Sequence, residues 1–220
     1  MLQNQTAIII GSTGLIGKEL VEILINDDSF SKVKLFVRRS TQNMHPKIQE
    51  FILDFDELAS FKNEIKGDVL FSCMGTTIKQ AGSKDAQYLV DFTYQYEMAK
   101  FASENGVLSY SLVSSAGADS KSKMFYSKIK GELEDEIRKL PFQQIRIFQP
   151  SLLLGQRNTS RIGEKFGEIV LSVFGKIPPF AKYRGIKGEI VAQAMVNMFK
   201  NPSQSRIKVY KLDEIFGIVD

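Results

Sequence analysis

Three times in this chain a tyrosine is followed four positions later by a lysine: Tyr96/Lys100, Tyr126/Lys130 and Tyr183/Lys187. On a helix, residues four apart share a face, so a phenol and an ammonium can reach one site. A free tyrosine, with a pKa of about 10, is a poor acid–base catalyst at neutral pH. An adjacent cation favours the phenolate and lowers that value. A tyrosine tuned in this way can pass a proton to or from a carbonyl or alcohol oxygen while hydride moves at the neighbouring carbon. Only Tyr126 follows a strand, two serines and a loop in that order. Ser114 or Ser115, at the strand end, could bond the same oxygen. Tyr96 falls mid-helix, and Tyr183 lies in an irregular stretch with no strand-end serine before it.

The second chemical feature is at the N-terminal end, Thr6 to Gly17, reading T-A-I-I-I-G-S-T-G-L-I-G. A short β-branched run, a turn with glycines at 11, 14 and 17, and an apolar helical pattern at once afterwards make the entry unit of a dinucleotide-binding fold. Glycines allow a tight turn and close approach to a pyrophosphate, and the helix N-terminus offers free N–H groups. The predicted second strand ends in Arg38-Arg39-Ser40 with no acid near. An acid there would bond a ribose 2′-OH, whereas guanidinium forks match a 2′-phosphate, so NADP(H) is the expected cofactor. Asp54, ending the third strand, could accept from an adenine amino group or sit as an exposed turn aspartate.

These residues need elements to hold them. Strand patterns at Ala7–Ile10, 33–37, 48–53, 68–73, 107–113 and 145–148 alternate with helical ones, including long helices from Ser83 or Asp85 to Glu104 and over 125–139. Such alternation demands parallel pairing through right-handed crossovers, so the fold class is α/β, a doubly wound parallel sheet (Rossmann fold). Ligands bind such sheets at the carboxyl ends of the strands. The alternation lapses after Gly155. Residues 156–220, with helices predicted at 162–174 and 189–200 and a last strand over 206–212, are expected to form a small substrate-side cap within one domain spanning 1–220. Phe166, Phe174 and Phe180 could line a pocket or pack the cap. The long helices at 85–104 and 125–139 could pair in a homodimer or be solvated.

A small-molecule substrate is the expected partner, and composition argues against nucleic acid and membrane. At 220 residues, 43% hydrophobic and 25% charged, the chain can bury a substantial core. The net charge of +4 is spread among acids, which argues against nucleic acid. A single Cys73 excludes an internal disulfide, and with a single His45 it excludes a Cys/His metal site. Cys73, ending a buried strand, reads as a packing residue more than a reactive thiol. No apolar stretch reaches membrane-spanning length, and Met1–Gln5 lacks a secretory signal, so the cytoplasm is expected.

Taken in order, Gly11-Ser12-Thr13-Gly14-Leu15-Ile16-Gly17, Cys73-Met74-Gly75-Thr76-Thr77, Val113-Ser114-Ser115, Tyr126/Lys130 and Gln149-Pro150 resemble the extended or atypical short-chain dehydrogenase/reductases. The chain is most similar to their Tat-interacting-protein oxidoreductase group. The resemblance implies that the Gly11–Gly17 loop, with Gly75 and Thr76, contacts the cofactor, and that Arg38 and Arg39 hold the 2′-phosphate. It makes Tyr126 the acid/base, Lys130 the holder of the nicotinamide ribose, and Ser114 or Ser115 the substrate-orienting group. Two positions depart from the pattern: Asp91 replaces a helical asparagine, and Gln149 replaces an arginine. The alternative is a regulator that binds NADPH and signals to a protein partner without turnover. NmrA-like regulators keep the glycine loop and lack the Tyr/Lys pair, which favours the enzyme. A nucleotide-sugar epimerase would need a larger C-terminal part.

Overall fold

Ala7, Ile8, Ile9 and Ile10 are all fully buried, as a strand covered on both faces requires. Their side chains alternate between two separate apolar clusters. Ala7 and Ile9 join one with Leu20 and Leu24; Ile8 and Ile10 join the other with Met98, Ala102, Leu133 and Ile137. The sheet is thus the middle layer of three. A computed structural model describes residues 2–155 and 184–219.

The elements in chain order are β1 (Gln5–Ile10), α1 (Leu15–Asn26), β2 (Phe30–Val37), β3 (Ile48–Ile52), a 3₁₀ segment (Phe55–Glu64), β4 (Val69–Ser72), α2 (Ile78–Ala81) and α3 (Lys84–Tyr88). A π-helical turn (Leu89–Thr93) leads into α4 (Tyr94–Glu104), then β5 (Ser109–Val113), α5 (Phe125–Lys139), β6 (Gln144–Gln149) and β7 (Leu153–Leu154). After the gap come β8 (Ile186–Lys187), α6 (Gly188–Lys200), β9 (Ile207–Lys211) and a 3₁₀ turn (Leu212–Ile218). Seven strands form one sheet in the order β3-β2-β1-β4-β5-β6-β9, with every neighbouring pair parallel. All seven carboxyl ends therefore share one edge. The winding reverses between β1 and β4, which opens a crevice there.

Two expectations are corrected. The helix predicted to run unbroken to Glu104 begins with Ser83 capping the Ala86 N–H at 3.0 Å, but it is interrupted by the π turn. Four residues overshoot one α turn by about 40°. The wider π turn takes that drift back, which keeps Gln87, Asp91 and Gln95 on one buried face. Part of the stretch assigned to the cap also belongs elsewhere. Helix α6 packs against α1, and β9 pairs with β6 as the sheet's last strand, because both carry apolar faces that the sandwich buries. The helix expected at 162–174, the three phenylalanines and Tyr183 lie outside the described residues.

Candidate functional site

The turn after β1 is built by contacts that admit no side chain. Gly11 has φ +78°, and a Cβ there would stand 2.5 Å from the Cys73 carbonyl carbon and 2.6 Å from the Met74 nitrogen. A Cβ on Gly17 would collide with the Gly11 carbonyl oxygen. The turn is thereby pressed into the crevice between β1 and β4. Gly14 caps α1 without a side-chain bond, and the first helical turn has no acid, so its N–H groups remain for an anion. Beside them the Ser12 hydroxyl is buried without any hydrogen-bond partner. A buried, unpaired hydroxyl costs stability unless something bonds it. The glycine cradle and this orphan hydroxyl both fit a dinucleotide pyrophosphate. Thr13 is exposed, Leu15 half-buried and Ile16 buried in the core.

Further along the edge, Arg38 and Arg39 leave the end of β2 exposed, and neither forms an ion pair with a described residue. Asp54 is also exposed, and its carboxylate accepts from the Asp56 N–H at 3.1 Å. At the end of β4, Gly75 is exposed, and Thr77 caps α2 by accepting from the Gln80 N–H. Desolvation pushes the Cys73 thiol up to about 12, so it stays protonated at neutral pH and packs against the core.

The YxxxK pair at 126/130 opens α5 and lies at this same edge. Lys130 is 2% exposed, and its Nζ is 3.0 Å from an Oδ1 of Asp91, which is fully buried. Burial alone would lower the Lys130 pKa. The charge and hydrogen bond of Asp91, with contributions from Tyr126 and Glu134, outweigh it and hold the ammonium above the usual lysine range. Asp91 also accepts from the Thr76 N–H at 3.3 Å and from Gln87 Nε2 at 3.0 Å. Gly75 lies over this pair, since a Cβ there would be 3.4 Å from Asp91 and 3.9 Å from Lys130 Nζ. Tyr126, one turn before Lys130, is 41% exposed. An ammonium bound to one acceptor keeps two donors for a substrate or ribose hydroxyl.

The two serines part company. Ser114 is buried and donates to Glu134 Oε1 at 2.5 Å. Gln149 Nε2 donates to the same oxygen at 2.8 Å, and Arg138 reaches the other at 3.3 Å. The Ser114 hydroxyl proton is thus committed to a carboxylate within the fold, which sets it apart from its neighbour. Ser115 is half-buried, and among the described residues its hydroxyl bonds only the carbonyl of Ala116, at 3.3 Å, which leaves it as the candidate serine. Ser114→Ala is expected to cost about 1 kcal/mol in denaturant melts and leave turnover intact, while Ser115→Ala lowers turnover with stability unchanged. Tyr96 stacks on Phe92 along the helix and takes no part.

Asp91, Gln87 and Thr76 form the network that sequence reading missed as a unit. The available signal was three polar residues, Gln87, Asp91 and Gln95, repeating every four positions in a helix otherwise rich in apolar and aromatic side chains. All three are at most 2% exposed. A bound nicotinamide dinucleotide would supply the hydride chemistry here. The chain's own part would be to seat the pyrophosphate at Gly11–Gly17, hold a charged lysine at 130 and present a phenol at 126. Among the described residues no group of His, Cys, Asp or Glu is arranged to hold a metal ion.

An NAD(P)H-binding family profile matches residues 11–140. Protein HTATIP2 of Rattus norvegicus is 32% identical over 94% of this chain and 86% of its own length. The FMP52 protein of Candida glabrata is 32% identical over 100% of this chain and 97% of its own. Among solved structures, Bordetella bronchiseptica WbmH in complex with NAD+ superposes with a TM-score of 0.70, at 15% identity over 94% of this chain and 75% of that one. The ADP-L-glycero-D-manno-heptose-6-epimerase of Helicobacter pylori gives 0.69 at 16% identity, over 96% and 77%. At such identities the likeness is one of fold. The FMP52 relatives are named mitochondrial, and that overturns the cytoplasmic location expected above. Lack of a secretory signal says nothing about a mitochondrial address, which is amphipathic and not marked by an apolar run. Profile and relatives agree: the chain belongs to the NAD(P)H-binding family, with HTATIP2 and the FMP52 proteins among its relatives.

Proposed function

We propose that the protein is an NADP(H)-dependent oxidoreductase that transfers hydride to or from a small carbonyl or alcohol, with Ser115, Tyr126 and Lys130 at the reacting oxygen. The observation that carries this reading is the buried Lys130–Asp91 pair beneath Gly75, one helical turn from an exposed tyrosine. A lysine held charged beside a phenol serves proton transfer, and a protein that only binds the dinucleotide has no need of it. By likeness to the FMP52 proteins, mitochondria are the proposed location.

The preference for NADP(H) rests on Arg38 and Arg39, exposed at the end of β2 and without an acidic partner among the described residues. A guanidinium–phosphate bond of the charged kind contributes about 1.5–3 kcal/mol. Purified protein is therefore expected to bind NADPH at least roughly tenfold more tightly than NADH, and Arg38→Ala with Arg39→Ala to erase the difference. Titration of both nucleotides by protein fluorescence or calorimetry checks this. Equal affinities in the parent protein would remove the NADP(H) assignment and leave the hydride chemistry standing.

A further inference from the structure

A carboxylate with no access to water has to be stabilised by donors, and Asp91 has three, each from a different part of the fold. Lys130 Nζ comes from α5 at 3.0 Å, Gln87 Nε2 from α3 at 3.0 Å, and the Thr76 N–H from the β4 strand end at 3.3 Å. Gln87 in turn donates to the Thr76 carbonyl at 3.3 Å, so the strand end is held at both its polar groups. The π turn carries Asp91 itself. Buried ion pairs are a poor device for stability, because desolvating two charges offsets their attraction. A pair kept under such conditions at a ligand-facing edge invites a reading in terms of what it holds in place.

Resting on the oxidoreductase reading above, the geometry points to Asp91 as a positioning residue for the reaction: its carboxylate keeps the buried Lys130 charged beside Tyr126 and ties that ammonium to the Gly75–Thr76 strand end. A lysine that is 2% exposed and lacks a counter-charge loses its proton well below the ordinary lysine value. A neutral amine cannot stabilise a phenolate. The other ionisable groups packed around Lys130 do not substitute for Asp91. Glu134 on α5 is taken up by Ser114, Gln149 and Arg138. Tyr88 on α3 faces Glu132 and Glu136, and Cys73 at the end of β4 stays protonated. Tyr126 is the group whose charge Lys130 serves. The network also explains why a backbone N–H, Thr76, is spent on the carboxylate: movement of the strand end and movement of the ammonium become one motion.

Asp91→Asn removes the charge and keeps the shape. In protein labelled with 13C at the lysine ε-carbons, and with Lys130 assigned through Lys130→Arg, the parent's Lys130 is expected to titrate above the ordinary value of 10.5. In Asp91→Asn it should titrate at least two pH units lower, a hundredfold or greater change in acidity. Carbonyl reduction by that variant should fall at least tenfold on passing from pH 6.5 to pH 9 relative to the parent. A merely structural carboxylate would lower the melting temperature and leave the Lys130 titration in place, and that result overturns the inference. Should Asp91→Asn fail to fold, the parent decides alone, since a Lys130 titrating well below the ordinary lysine range, as an unpaired buried lysine would, is equally fatal. The lysine titration needs neither cofactor nor substrate. A parent that reduces no carbonyl would end the oxidoreductase reading, and the titration would still judge the role of Asp91.

Discussion

Tyr126→Phe is expected to lower turnover by about 10²–10⁴-fold, the usual worth of a positioned general acid, while NADPH binds as tightly as to the parent. The split follows from where the phenol stands. Tyr126 is exposed on the first turn of α5, at the carboxyl edge of the sheet, and no described hydrogen bond engages its hydroxyl. Removing that oxygen therefore leaves no buried group unpaired and disturbs no packing. The dinucleotide contacts expected at Gly11–Gly17 and Arg38–Arg39 lie on other elements. Steady-state rates with NADPH, set beside nucleotide affinity and melting temperature, test the assignment. Unchanged turnover would mean that another group supplies the proton.

Gly11→Ala is expected to act on the other half of the site and on the fold with it. The backbone at Gly11 is left-handed, φ +78°, which costs an L-residue about 1–2 kcal/mol. The new methyl would also meet backbone atoms of Cys73 and Met74 at 2.5–2.6 Å, and backbone in a parallel sheet cannot step aside as a side chain can. Overpacking of this kind adds about 1–3 kcal/mol. Together these place the loss at roughly 2–5 kcal/mol, or a melting temperature lower by roughly 5–15 °C for a chain of this size. Because relief requires β1 and β4 to part at the crevice, nucleotide affinity should fall in parallel. Thermal unfolding with and without NADPH measures both; an unaltered melting temperature would contradict the contact.

Much of this was legible in the residues themselves. The run Ala7–Ile10 marks a strand buried on both faces, and glycines at 11 and 17 are required where they stand by backbone contacts closer than 3 Å to any added Cβ. Helix α5 begins at Phe125 and ends at Lys139, as its periodicity predicts, with Pro141 just beyond. What escaped was long-range. Ser114 and Ser115 are indistinguishable by type and neighbour, and only Glu134, twenty positions on, separates them. Asp91 reads as an isolated departure until the fold brings Lys130 against it across 39 residues of sequence. The π turn has no local signature, because its cause is the need to keep three polar side chains on one buried line. The assignment of residues after 156 to a cap failed in part for the same reason: α6 finds its partner in α1, at the opposite end of the chain.

That pairing has a consequence for how the chain is made. Lys200 at the end of α6 bonds Asp27 just after α1 at 2.8 Å, and the start of α6 packs Gly188 against the Leu15 carbonyl. About 160 residues must leave the ribosome between the two helices, which at roughly 5–20 residues per second takes roughly ten to thirty seconds. During that interval the apolar face of α1 has no α6 to cover it. The first helix to be synthesised is thus among the last to be enclosed, and a nascent chain paused before residue 188 offers a ready surface to chaperones.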